Sequence, residues 1–82
     1  MQENNDEVQK KMKANHTMVK AAHAKAQKAG RSAKVTFVSP NGGHESGEHR
    51  GFMQISGRTH AKIAMKDNTS RAVPLHHIVS AS

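Results

Sequence analysis

The N-terminal third of the chain places its apolar positions at a helical period. Seven positions recur alternately four and three residues apart, and all but one of them are apolar: Val8, Met12, Asn15, Val19, Ala22, Ala26 and Ala29. At about 100° per residue these positions form one stripe along a helix. Lys, Gln and Ala, which favour helices, fill much of the remainder up to Gly30. The pattern predicts an amphipathic helix over residues 5–30, with an N-cap at Asn5 and a disordered N-terminus at residues 1–4.

The opposite side of the predicted helix is basic and carries four lysines: Lys10, Lys13, Lys20 and Lys28. These lysines form either a solvated face or a surface that follows nucleic-acid phosphates. The apolar stripe has three alternatives. It packs on the chain's own strands, on a partner protein, or on a second helix in a coiled coil with Asn15 as the polar register position. The partner-binding candidates on the stripe are Val8, Met12 and Val19.

After Ser32 the pattern changes to period 2, and glycine and proline appear. Short β-branched or alternating segments predict strands at residues 33–39, 50–56, 60–66, 71–73 and 78–80. The polar, glycine-containing segment at residues 40–49 is predicted to be a flexible loop, and Pro74 ends the fourth strand because it cannot donate to a ladder. The sequence therefore predicts an α+β fold, in which a long N-terminal helix precedes a small five-stranded antiparallel β-barrel over residues 33–82.

The C-terminal segment RAVPLHHIVS resembles the end of Src-homology-3-like barrels. In that family a hydrophobic residue and a proline are followed by an aromatic and a β-branched residue, places that Val73, Pro74, His77 and Ile78 take here. The resemblance implies that Val73 and Ile78 belong to the core. It also implies that Pro74 and His77 occupy positions that line a peptide groove.

The same half of the chain resembles the Sm-like barrels, including Hfq. The resemblance rests on the N-terminal helix, a bent strand opening at Gly51, the sequence KDN that ends at Asn68, and a V-x-x-H-x-I run that begins at Val73. On this match His76 takes the place of the histidine in the Y-K-H motif of Hfq. Both resemblances imply a small barrel, and neither decides a function by itself.

Composition limits the core. The chain has 82 residues, two phenylalanines and no Trp, Tyr or Cys, so its core is aliphatic and thin. A core of this kind favours a homo-oligomer or ordering on binding. No apolar run approaches the roughly 18 residues of a membrane span, and the N-terminus is too polar for a secretory signal. We therefore expect a cytoplasmic protein without a membrane partner.

Histidines and carboxylates raise the question of a metal site or an enzyme. The segment HESGEH at residues 44–49 holds two His and two Glu, but its spacing matches no known metal motif. His16 and His23 lie seven residues apart without a third ligand. Cysteine is absent, and neither a phosphate-binding loop nor a catalytic triad context is recognisable. We expect no metal, no cofactor and no catalysis.

The net charge of the chain indicates the kind of partner that it binds. Thirteen Lys and Arg against six Asp and Glu give a net charge of +7, which favours polyanions. The nucleic-acid-binding candidates are Arg50, Arg58, Lys62, Lys66, Arg71, Lys13, Lys20 and Lys28. The barrel members of this set are predicted to crowd one side, and the helix lysines to extend that surface. With both phenylalanines predicted to be buried, base stacking is scarce, so we expect RNA or DNA backbone binding with weak sequence preference.

A second function fits the same charge. In this alternative the chain is a protein-interaction adaptor or inhibitor, of the small size typical of phage accessory proteins, that docks onto an acidic partner such as a polymerase or a ribosome. The helix stripe is one candidate contact surface. The barrel edge is the other, through Pro74, His76 and His77.

Overall fold

The computed structural model describes the backbone of residues 2–82 and the side chains of residues 6–82. In chain order the elements are helix α1 (Gln2–Lys28), strands β1 (Lys34–Val38), β2 (His44–Ile55), β3 (Arg58–Ala64) and β4 (Ser70–Pro74), a 3-10 turn (Leu75–His77) and strand β5 (Ile78–Ala81). One long helix followed by five antiparallel strands in one sheet confirms the predicted α+β class. Across residues 2–82, no helix combines the length and the apolar character needed to cross a membrane.

Helix α1 begins at Gln2, three residues before the predicted start, and ends at Lys28. Gly30 then takes a φ of 73°, and the backbone N–H of Arg31 donates to the carbonyl of Ala26 at 2.9 Å, as in a Schellman cap. Asn5 lies within the helix, so the predicted N-cap at Asn5 is wrong. The predicted disorder of residues 1–4 disagrees with the helical backbone of residues 2–4, and Met1 lies outside the described residues.

The sheet has the strand order β4-β3-β2-β1-β5, and every neighbouring pair is antiparallel. Strand β2 serves two neighbours, because residues 44–48 pair with β1 and residues 48–55 pair with β3. The register with β3 shifts between His49 and Gly51, which leaves Arg50 as the extra residue of a bulge. The long strand thus joins the two halves of the sheet.

The predicted loop at residues 40–49 is wrong from His44 onward, because the HESGEH segment forms the first half of β2. The reason is that this half of β2 pairs with β1 and approaches β3 closely at Gly47. A Cβ atom there would lie 2.5 Å from Cγ2 of Ile63 and 2.7 Å from the carbonyl oxygen of Ala64. The remaining connection is a tight turn, in which the N–H of Ser39 donates to the carbonyl of Gly43 at 2.7 Å.

The core lies between the helix stripe and the inner face of the sheet. Its buried side chains come from every part of this interface: Met12, Val19, Val35, Phe37, Ala61, Ile63, Val73, Leu75 and Ile78. The predicted inward placement of Val73 and Ile78 is confirmed, and Leu75 is buried beside them. The helix stripe packs on the chain's own strands, so the prediction that Met12 and Val19 bind a partner protein is wrong. Val8 is half-buried against the same core.

Candidate polyanion-binding site

Strand β3 places two of the predicted cations on one face. Ala61 and Ile63 are buried, so the alternate side chains of Arg58, His60 and Lys62 point away from the core. Lys66 follows the end of this strand and is exposed in the turn to β4. Arg58 and Lys62 are therefore the members of the predicted set that the strand period brings onto a common surface.

Two other predicted cations form ion pairs with carboxylates. Arg50 donates to Oε1 of Glu48 at 2.8 Å, and Arg71 donates to Oε2 of Glu45 at 2.9 Å. Arg71 is opposite the core-facing Ile63, so it leaves the sheet from the face opposite to that of Lys62. The five barrel cations therefore do not converge on one side, and the two arginines have local charge partners.

The helix lysines of the predicted set are exposed and are spread along α1. Lys13 lines a cavity between α1 and the sheet, together with Thr59 of β3 and Leu75 of the 3-10 turn. Lys20 lies on the same flank of the helix, about 10 Å further along its axis. Lys28 is in the last turn of the helix, more than 20 Å from Lys13 by the same helical rise. The first half of α1 is therefore the part that adds positive charge beside Arg58.

A cluster of cations and imidazoles forms at this end of the molecule, and we call it the basic end: Lys11, Arg58, His60, His76 and His77. Burial lowers the pKa of His76 first, and the nearby charges of His77, Arg58, Lys11 and His60 lower it further. These residues come from the helix, from β3 and from the 3-10 turn. Sequence reasoning missed Lys11 because the packing of α1 on the 3-10 turn brings it to His76. It missed His60 because the β3–β4 register, which sets His60 opposite Pro74, is not visible in the sequence.

Two contacts orient the imidazoles of the basic end. Nδ1 of His60 lies 3.0 Å from the carbonyl oxygen of Arg58; a carbonyl only accepts, so Nδ1 carries the proton and donates. The rings of His76 and His77 are 4.3 Å apart, edge to face. Nδ1 of His76 is buried and has no hydrogen-bond partner within residues 6–82. The basic end therefore contains one buried imidazole nitrogen, Nδ1 of His76, that lacks a hydrogen bond within the described side chains.

A second histidine cluster joins α1 to β2 inside the fold. Nδ1 of His23 and Nδ1 of His49 are 3.3 Å apart, and the ring of His49 packs on Phe52 at 4.8 Å. His49 is 2% exposed; burial, and then the charge of His23, lower its pKa. His16 contacts Phe52 edge to face at 4.6 Å and does not pair with His23. These contacts hold the helix against the sheet.

Within the part of the chain that the structure describes, no group of three or more His, Asp or Glu side chains is arranged to hold a metal ion. The arrangement at the basic end offers cationic donors instead, which suit an anionic group such as phosphate. No known protein family, curated protein or solved structure matches this chain.

Proposed function

We propose that this chain is a non-catalytic binding protein that holds RNA or DNA through the phosphate backbone. The observation that carries the proposal is the basic end, where Lys11, Arg58, His60 and His77 lie close enough for their charges to act on His76. Cations of this kind neutralise phosphates and release counterions. The net charge of +7 adds long-range attraction for a polyanion.

We further propose that the sheet is a barrel of the Src-homology-3-like or Sm-like kind. The strand order, with β1 between β2 and β5, and the 3-10 turn before the last strand support this assignment. In it His76 keeps the place of the Hfq histidine, now within the basic end. The fold assignment is independent of the nucleic-acid proposal, because small barrels serve many functions.

Salt titration of oligonucleotide binding tests the proposed function. A labelled 12-nucleotide DNA or RNA strand should bind at about 50 mM salt, and log Kd should rise linearly with log salt concentration up to about 200 mM. Lys11→Glu should weaken binding severalfold more than Lys25→Glu. Both lysines are exposed on α1 and both changes alter the net charge by the same amount, but Lys25 lies in the last turn.

Two results would contradict the proposal. One is the absence of oligonucleotide binding at about 50 mM salt. The other is an equal effect of the Lys11 and Lys25 substitutions, since binding would then depend on net charge and not on the basic end.

The adaptor function is the second candidate, and exposed apolar side chains favour it. Ile55 and Val79 are 39% and 48% exposed on strands β2 and β5. An acidic protein partner that covers them predicts binding that survives nuclease treatment, together with no affinity for oligonucleotides at low salt. The helix stripe does not contribute to this surface, because its large side chains are in the core.

A further inference from the structure

Three side chains form a row across the outer face of the sheet. His60 in β3 lies directly opposite Met53 in β2 on one side and Pro74 in β4 on the other. Opposed residues of neighbouring strands share a face, and the adjacent Ala61 and Val73 are buried, so this row points outward. We call Met53, His60 and Pro74 the outer row. Met53 is 38% exposed, and His60 and Pro74 are half-buried.

The outer row combines flat or polarisable surfaces with cations beside them. The imidazole of His60 is flat, and Pro74 adds a compact apolar ring beside it. The hydrogen bond from Nδ1 of His60 to the carbonyl of Arg58 helps fix the imidazole before a ligand arrives. Arg58 and Lys62 are two residues to either side of His60, on the same face. At about 4.8 Å between strands, the row is about 10 Å wide, which accommodates about two bases.

We propose that the outer row is a platform for unpaired bases, so that the protein prefers single-stranded nucleic acid to a duplex. This inference rests on the proposed function and adds to it the state of the strand. The bases lie on Met53, His60 and Pro74, while Arg58 and Lys62 contact the flanking phosphates. A duplex keeps its bases stacked inside and offers the same cations only its phosphates, so the contribution of the row is lost. Charge complementarity favours this occupant, because neither Arg58 nor Lys62 forms an ion pair with a carboxylate among residues 6–82.

The test compares one sequence in two states. Fluorescence anisotropy at about 100 mM salt measures the affinity for a labelled 12-nucleotide strand and for the same strand annealed to its complement. The single strand should bind roughly tenfold more tightly, as expected for one stacked base. Substituting 2-aminopurine within the strand adds a second readout, because stacking on the protein changes its fluorescence.

Variants separate the outer row from the cations. Met53→Ala should weaken single-strand binding severalfold and leave duplex binding unchanged. His60→Ala, which also removes a member of the basic end, should weaken single-strand binding more than duplex binding. Arg58→Gln should weaken both. Val38→Ala is the matched control, since it removes an exposed apolar side chain from β1, outside the row, and it should change neither affinity. If circular dichroism shows that His60→Ala is unfolded, Met53→Ala alone tests the proposal, because the side chain of Met53 is exposed and its removal should not unfold the protein.

Each outcome has a distinct meaning. Equal affinity for strand and duplex, or equal losses on both with the row variants, overturns the base platform and leaves the proposed function standing. No binding of either form overturns both. Displacement of the labelled strand by polyglutamate as efficiently as by unlabelled strand also overturns the platform, since an acidic protein segment would then satisfy the site without bases.

Discussion

The side-chain amide of Asn15 donates to the carbonyl oxygen of Leu75 at 2.8 Å, and also to that of Ile78 at 3.0 Å. One residue of the helix thereby satisfies two carbonyls at both ends of the 3-10 turn. The sequence predicted Asn15 as a polar position within an apolar stripe, and in one of three alternatives for that stripe it fixed the register of a coiled coil. Its observed role is also one of register, but between α1 and the last part of its own sheet.

Replacing Asn15 should destabilise the whole fold. Asn15→Ala leaves two partly buried carbonyl oxygens without this donor, which should lower the free energy of unfolding by about 1–3 kcal/mol. Asn15→Asp should cost at least as much, because it sets an acceptor against acceptors. Urea denaturation followed by circular dichroism measures the change, with Gln27→Ala on the exposed side of α1 as the control. A wild-type midpoint for Asn15→Ala would contradict this account.

The close approach of β2 to β3 should depend on Gly47 having no side chain. Gly47→Ala sets a Cβ atom 2.5 Å from Cγ2 of Ile63 and should destabilise the protein by about 2 kcal/mol or more, because the core must shift. Gly43→Ala is the matched control, since its nearest neighbours lie at 3.4 and 3.7 Å. The urea midpoints of the two variants are compared with that of the wild type. Equal stability of the two variants would show that β2 does not approach β3 this closely at Gly47.

Comparison of sequence and structure shows which signals are local. The helix stripe and the strands around Val35, Ile63 and Val73 follow from periodicity, because burial imposes those periods on the residues themselves. The first half of β2 is polar, and it is a strand because β1 pairs with it and Gly47 allows close approach to β3. Neither the pairing with β1 nor the close approach to β3 can be inferred from the six residues of the HESGEH segment alone.

The candidate site was less predictable than the fold. Arg58 shares a face with Lys62 only because β3 begins at Arg58, two residues before the predicted start of that strand. The bulge at Arg50 and the opposite face of Arg71 depend on register, and a shift of one residue reverses a side chain's face. The carboxylate partners of Arg50 and Arg71 come from β2, within the segment predicted to be a loop. The basic end depends on contacts between residues as far apart as Lys11 and His76, which no local pattern encodes.

Stability should fall on mild acidification because of His49. Burial and the charge of His23 hold its pKa in the folded protein below the usual value of about 6.5. Between the folded pKa and about 6.5 the unfolded chain therefore binds more protons than the folded one. The contribution of His49 to the free energy of unfolding is complete above pH 6.5 and declines as pH falls through this window. His76, whose pKa is also lowered, adds in the same direction.

Urea unfolding at pH 7.5, 6.5, 5.5 and 5.0 measures this decline above the range in which carboxylates titrate. His49→Gln removes the buried imidazole and should flatten the dependence, whatever its effect on stability at pH 7.5. His44→Gln, at an exposed histidine of the same strand, should leave the slope unchanged. A His49→Gln variant with the wild-type slope would assign the decline to other groups.

The pairing of Arg50 with Glu48 should show in nucleic-acid affinity. Arg50 already donates to a carboxylate at 2.8 Å, so a phosphate must compete with Glu48 for it, whereas Arg58 forms no ion pair among residues 6–82. Arg58→Gln should therefore weaken oligonucleotide binding severalfold, and Arg50→Gln by less than about twofold, although both remove one charge. Exposed ion pairs contribute at most about 1 kcal/mol, so both variants should fold. Glu48→Gln frees Arg50 and should tighten binding slightly at about 50 mM salt, with the gain fading toward 200 mM as screening increases. Equal losses for the two arginine variants would mean that binding responds only to total charge, and the basic end would then have no special role.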